Sequence, residues 1–157
     1  MIRHDKAALF LATGCCVGNI PAAPGTLGTI VGLPVCYALS FLGLPALVMA
    51  VVMIIAVAVY VSGVAEKQLN RKDPGCVVID EIAGIVITLF GLPFSPAVVI
   101  TGFFLFRLLD VVKPYPISLL DRRLKGGIGI VSDDLAAGLV ANLLLQWLLH
   151  LFPDFFA

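Results

Sequence analysis

The chain has 157 residues, of which 61% are apolar and 13% charged, whereas soluble domains are about 45–50% apolar and about 25% charged. Ten Lys and Arg balance ten Asp and Glu to a formal net charge of zero, which excludes an electrostatic nucleic-acid binder, because neutralising phosphates needs a basic excess. So short a chain cannot hide this much apolar surface inside itself, so lipid is its expected solvent, with residues 1–157 forming one membrane-embedded domain.

Arg3 and Lys6 precede a short apolar stretch, but polar and turn residues follow without a small-residue cleavage site, so this segment reads as retained. Cys15, Cys16, Cys36 and Cys76 show neither a secreted-domain pairing pattern nor a C-x-x-C metal spacing, and read as small apolar residues. Residues 18–28, GNIPAAPGTLG, are rich in turn formers. Pro24-Gly25 suits the centre of a type II turn and Thr26 the N-cap of a following helix. Free N–H groups at that helix start, with the Thr26 hydroxyl, could hold a phosphate. A mere entry turn is the alternative, and no Lys follows the glycines as a P-loop would require.

Residues 27–44 and 46–65 carry no charge and approach the roughly 20 residues needed to span a bilayer. A tight turn at Gly43-Leu44-Pro45 would join them as a hairpin. Residues 82–109 are apolar but interrupted by Gly91-Leu92-Pro93-Phe94-Ser95-Pro96, which predicts two short helices that dip in and return. Gly126-Gly127-Ile128-Gly129 reads as a flexible approach to the last apolar block, 135–152, where Trp147 and His150 sit near an expected interface.

With the middle pair re-entrant, segments 1–26, 66–81 and 110–134 fall on one side. They hold Arg3, Lys6, Lys67, Arg71, Lys72, Lys113, Arg122, Arg123 and Lys125, with Arg107 at their margin, while residues 153–157 hold no Lys or Arg. The positive-inside rule then puts these three segments in the cytoplasm and the C-terminus outside. The expected fold is all-α, a polytopic integral membrane helical bundle with a broken or re-entrant middle helix pair.

In that topology Asp80, Glu81, Asp110, Asp133 and Asp134 meet at one interface. Each adjacent pair has a structural reading, since acids in a first helical turn complement the macrodipole and Asp80 or Ser132 could cap an N-terminus. Asp110 instead stands at an expected helix C-terminus, where the dipole disfavours a carboxylate. Clustered carboxylates repel unless protonated or bridged by a cation, and hard oxygen ligands suit Mg²⁺, which also shares substrate phosphates. The set is a candidate metal site for phosphate chemistry. Arg107 shares a helix face with Asp110, and Pro114 pushes Lys113 out of helical geometry onto a rigid Lys-Pro-Tyr-Pro turn. Both cations could contact an anion; an Arg107–Asp110 ion pair beside a snorkelling Lys113 is the structural alternative.

In chain order, NIPAAPGTLGT (19–29), DEIAG (80–84), FRLLDVVKPYPI (106–117) and GGIGIVSDDLAAG (126–138) resemble the bacterial phosphatidylglycerophosphatase A family, over nearly the whole chain. The resemblance implies an Mg²⁺-dependent inner-membrane phosphatase that removes the terminal phosphate of phosphatidylglycerophosphate. It implies Asp80, Glu81, Asp110, Asp133 and Asp134 as metal or catalytic acids, with Asp80 and Asp134 catalytic beside Arg107 and Lys113. Asn19, Pro24, Gly25, Thr26 and Lys113 would hold the phosphate or head group of a membrane phospholipid.

Other classes stay open on the residues alone. A phosphatase of another lipid phosphate, a small transporter or proton-relay subunit, and a structural subunit whose acids only cap helices are the alternatives. His4 and His150 fall on opposite sides, which disfavours a two-histidine lipid phosphatase, and the D-G-x-x-A-R pattern of CDP-alcohol transferases is absent. Direct water attack and a phospho-aspartate at Asp80 or Asp134 are both chemically sensible.

Overall fold

The computed structural model describes residues 3–115, 117 and 124–156. Arg122 and Arg123 of the basic loop, and Pro116 of the Lys-Pro-Tyr-Pro turn, lie outside the described residues. The helices are α1 (Arg3–Ala12), α2 (Pro24–Leu39), α3 (Leu44–Leu69), α4 (Ile79–Thr88), α5 (Pro96–Val112), α6 (Gly126–Leu151) and the single turn α7 (Pro153–Phe156), with a short 3-10 turn at Val17–Asn19. No strand occurs among the described residues.

Among the described residues, two helices, α3 and α6, are long and apolar enough to cross a membrane. Only 17% of the apolar stretch of α3 is buried, and Met49, Met53 and Tyr60 are 69%, 61% and 67% exposed. So contiguous an apolar surface is foreign to water-soluble monomers. The corresponding stretch of α6 is 56% buried, because α6 lies at the centre with α3, α4 and α5 packed on it. Apolar on nearly every side, α4 is enclosed by α2, α3, α5 and α6, and residues 82–86 are all buried.

Glycine lets these helices approach. A Cβ on Gly138 of α6 would lie 2.4 Å from the Gly84 carbonyl oxygen of α4, and one on Gly127 would lie 1.8 Å from the Val59 carbonyl oxygen of α3. Small residues draw helices together in this way where lipid offers no hydrophobic drive to associate. Residues 126–129 are therefore the first turn of α6, with Gly127 packed on α3 and Gly129 against Leu124, which corrects the expected flexible approach. Asp133 and Asp134 consequently sit about two turns inside α6 instead of opening it, and the Ser132 hydroxyl donates to the Ile128 carbonyl within the helix rather than capping it.

Two further expectations about helix starts are corrected. Helix α2 begins at Pro24, whose fixed φ suits the first helical position, so Pro24-Gly25 is not a turn centre and Thr26 is not the N-cap. Ala23 holds the cap position in left-handed backbone at φ 49°. Val78 is the N-cap of α4, which leaves Asp80 inside the first turn.

The break in the middle block is present. Helix α4 stops at Thr88 and α5 starts at Pro96, where the Ser95 hydroxyl accepts from the Val98 N–H at 3.4 Å. Asn142 of α6 donates to the Thr88 and Phe90 carbonyls at 2.9 and 3.1 Å, and Gln146 holds Asn142 at 2.7 Å. Backbone acceptors at the end of α4 are thereby satisfied inside an apolar bundle, where leaving them bare would cost several kcal/mol each. Helices α2 and α3 are joined by a tight turn but do not form a packed hairpin: each leans on α4 and they hardly touch one another.

Candidate active site

The start of α2, the loop after α3, the start of α4, the end of α5 and the first third of α6 converge on a cavity of about 290 Å³. Its wall includes Pro24, Gly25 and Thr26, then Asp80 and Glu81, Arg107, Asp110 and Lys113, and finally Asp133 and Asp134. Residues more than 100 positions apart in the chain thus share one space. Asn19 does not line it. That residue borders a neighbouring cavity of about 570 Å³, which meets the first along Pro24 and Gly75.

The five acids divide into two groups. Asp80, Glu81 and Asp134 each offer a carboxylate oxygen within 4.8 Å of the other two. Asp80 and Asp134 are buried, at 7% and 4% exposure, so their mutual repulsion is poorly screened. Asp80 Oδ1 and Glu81 Oε2 are buried without a hydrogen-bond partner. Orphaned buried oxygens are rare in folded proteins and call for an explanation. Three hard anionic donors this close together fit a divalent cation, so these residues can hold a metal ion.

The remaining two acids are held by cations. Arg107 Nη1 donates to Asp110 Oδ2 at 2.6 Å and stands 4.0 Å from Glu81 Oε1. Lys113 Nζ donates to Asp133 Oδ2. This second pair depends on local backbone geometry: Pro114 disfavours helical backbone at Lys113, and Lys113 ends α5 in the left-handed region at φ 45°. Its ammonium thereby reaches across to α6, while Asp110 also approaches the Asp134 carboxyl. One chain of polar contacts joins α4, α5 and α6.

Gly25 brings α2 into the same arrangement. A Cβ there would lie 2.3 Å from Glu81 Oε1 and 3.0 Å from an Arg107 guanidinium nitrogen. The first turn of α2 therefore abuts the acids, and its N–H groups, which lack acceptors within the helix, border the cavity. Anions bind at such helix starts. Acid oxygens, two cations and a helix N-terminus can together hold a phosphate and a hard cation side by side.

Asp73 and Gly75 also line the cavity, and neither is singled out by the sequence analysis. Asp73 lies in the run Arg71-Lys72-Asp73-Pro74-Gly75, where Asp, Pro and Gly already have ordinary turn roles. Nothing local marks its carboxylate as different; closure of the loop between α3 and α4 brings it to the site.

A family model described as Phosphatidylglycerophosphatase A matches residues 10–149. The chain is 37% identical over 144 residues to Phosphatidylglycerophosphatase A of Escherichia coli (strain K12), covering 91% of this chain and 84% of the relative. It is 33% identical over 133 residues to the protein of the same name from Haemophilus influenzae, covering 83% and 82%. A relative from Bacteroides thetaiotaomicron, provisionally named a phosphatidylinositol-3-phosphatase, is 33% identical over 153 residues, covering 92% and 95%. No solved structure matches the chain.

Proposed function

The chain belongs to the phosphatidylglycerophosphatase A family, and from that premise we propose that it hydrolyses the terminal phosphate of phosphatidylglycerophosphate, giving phosphatidylglycerol and inorganic phosphate, with Mg²⁺ as cofactor. The observation that carries the chemistry is the triad Asp80, Glu81 and Asp134, of which Asp80 and Asp134 are buried, with two carboxylate oxygens lacking any hydrogen-bond partner.

These three side chains would hold the ion, with Asp110 and Asp133 completing the acidic wall. Bound there, Mg²⁺ supplies Lewis-acid polarisation of the phosphoryl oxygen and neutralises the surrounding carboxylates. Arg107 and Lys113 face the same cavity; Arg107 offsets negative charge that grows on the phosphate oxygens in the transition state, and Lys113 binds the phosphate already in the ground state. Pro24, Gly25 and Thr26 form the wall of α2, whose free N–H groups and Thr26 hydroxyl contribute neutral donors. Asn19, which borders the neighbouring cavity, would contact the rest of the head group. Asp80 or Asp134 takes the proton from water as it attacks phosphorus, the bond to the glycerol oxygen breaks, and the carboxylic acid so formed returns the proton to that leaving oxygen. In a two-step version the same carboxylate attacks phosphorus itself and water later frees the phosphate.

In this reading the protein is a multi-pass bundle of the bacterial inner membrane, with the short α4–α5 pair re-entrant and the acidic end facing the cytoplasm. The apolar outer face of α3 supports a lipid setting. The absence of Lys and Arg from residues 28–66, 82–106 and 135–157 supports the orientation. Acyl chains stay in the inner leaflet and only the head group enters the cavity.

Purified protein should release phosphate from phosphatidylglycerophosphate faster than from phosphatidylinositol 3-phosphate or phosphatidic acid, should stop with EDTA, and should recover with added Mg²⁺. A clear preference for another of these lipids would reassign the substrate, and full activity in EDTA would remove the metal from the proposal. Lys113→Ala should raise KM about tenfold, the worth of one charge-assisted hydrogen bond, with a smaller change in kcat. A fall in kcat at unchanged KM would assign Lys113 to the transition state alone.

A further inference from the structure

Helices α2 and α3 follow one another in the chain yet hardly touch, and α4 forms the floor between them. At the acidic end, this cleft is a cavity of about 350 Å³ lined by Val31 and Val35 of α2, Met53 and Val57 of α3, and Ile79 and Ile82 of α4. At the other end, a separate cavity of about 340 Å³ lies between Leu39 of α2, Leu47 of α3, and Val86 and the cap residue Leu89 at the end of α4. Val51 and Ile85 are buried between the two cavities and line neither. Helix α4, with 10 residues, is about 15 Å long, so the two cavities at its ends are separated by about the hydrocarbon depth of one leaflet, half of a 30 Å core.

We infer that this cleft binds one acyl chain of the lipid substrate and sets how far the head group reaches. The inference rests on the proposed lipid phosphatase reading. Ile79 and Ile82 flank Asp80 and Glu81 on the same turns of α4, so the cleft and the acid cavity lie on adjoining faces of one helix. A chain lying along α4 therefore delivers its head group within about one helix width, roughly 10 Å, of the carboxylates. In a diacylglycerol phosphate the phosphate adjoins the acylated glycerol, whereas a terminal phosphate stands one phosphodiester and one glycerol further out. The cleft acts as a ruler that favours the outer phosphate. A helix of a second copy, about 10 Å across, would need more room over this length than the two cavities provide; one hydrocarbon chain does not. Because the chain's alternative is other lipid chains, the cleft contributes register more than hydrophobic affinity.

Two variants narrow the cleft without touching the acid cavity: Val35→Trp and Val57→Trp. In detergent micelles both should lower kcat/KM for long-chain phosphatidylglycerophosphate about tenfold, because a chain displaced from the cleft no longer holds the terminal phosphate in register with the acids. The dihexanoyl form should be hydrolysed almost as by the unmodified protein. Equal effects on both substrates, or none on either, would overturn the inference, as would a change in oligomeric state that accounts for the loss. Should either variant fail to fold, the unmodified protein decides the matter through a long-chain substrate bearing a diazirine in its acyl chain. Adducts should fall on the facing sides of α2 and α3; adducts confined to the outer faces of α5 and α6 would refute the cleft. If the unmodified protein hydrolyses no lipid phosphate, the functional reading fails, while the labelling still reports on the cleft separately.

Discussion

Asp80→Asn and Asp134→Asn should each lower phosphate release by more than about 100-fold, the upper end of what losing even an outer-sphere partner costs at a metal centre, while the helices stay packed. Both side chains are buried in a triad whose oxygens approach within 4.8 Å. Asn keeps the shape but removes one negative charge, so in the absence of metal it relieves repulsion within the triad instead of adding strain. Stability and activity should therefore move independently: the thermal midpoint in detergent should hold or rise without Mg²⁺, and the stabilisation that Mg²⁺ confers by binding the folded state should shrink. Near-normal turnover in both variants would remove the triad from catalysis. Loss of activity together with loss of folding would make the acids structural.

Gly127→Ala should be among the most damaging small substitutions in the molecule. A methyl there would lie 1.8 Å from the Val59 carbonyl oxygen and 2.8 Å from the Gly63 nitrogen. Both obstacles are backbone, so no rotamer change relieves them and α3 and α6 must separate. Overpacking against adaptable side chains already costs about 1–3 kcal/mol, and the expected loss here is at the top of that range or beyond. For a chain of this size, about 3 kcal/mol lowers the thermal midpoint by roughly 10 °C. Gly63→Ala, whose methyl would be 3.3 Å from the Gly127 nitrogen, should cost less, and Gly43→Ala, with nothing within 4 Å, should cost almost nothing. Equal midpoints for the Gly127 and Gly43 variants would show that the two helices are not held at this spacing.

Much of the architecture was legible because its signals are local. Pro93 and Pro96, with Gly91, interrupt an apolar run in any context, and the gap between α4 and α5 follows. Alternation of helices then carries Asp80, Asp110 and Asp134 to one end. Pro114 disfavours right-handed helical backbone at Lys113, so α5 ends there. Helix starts were read less well: glycines at 126–129 look like a loop by propensity, but they form the first turn of α6, where Gly127 packs closely on α3.

The chain by itself determined its helical character, its apolar exterior and the end at which its charges gather, since composition and turn residues act over a few neighbours. Only the tertiary structure decided that Asp80, Glu81 and Asp134 form the open triad while Asp110 and Asp133 are engaged by Arg107 and Lys113. The same holds for the parting of α2 from α3 and for Asp73 reaching the cavity. The reason is physical. In water an amphipathic stripe shows which face of a helix turns inward. A helix bordered by lipid is as apolar outside as inside, so its rotation, and with it each side chain's partner, is settled by backbone fit at small residues.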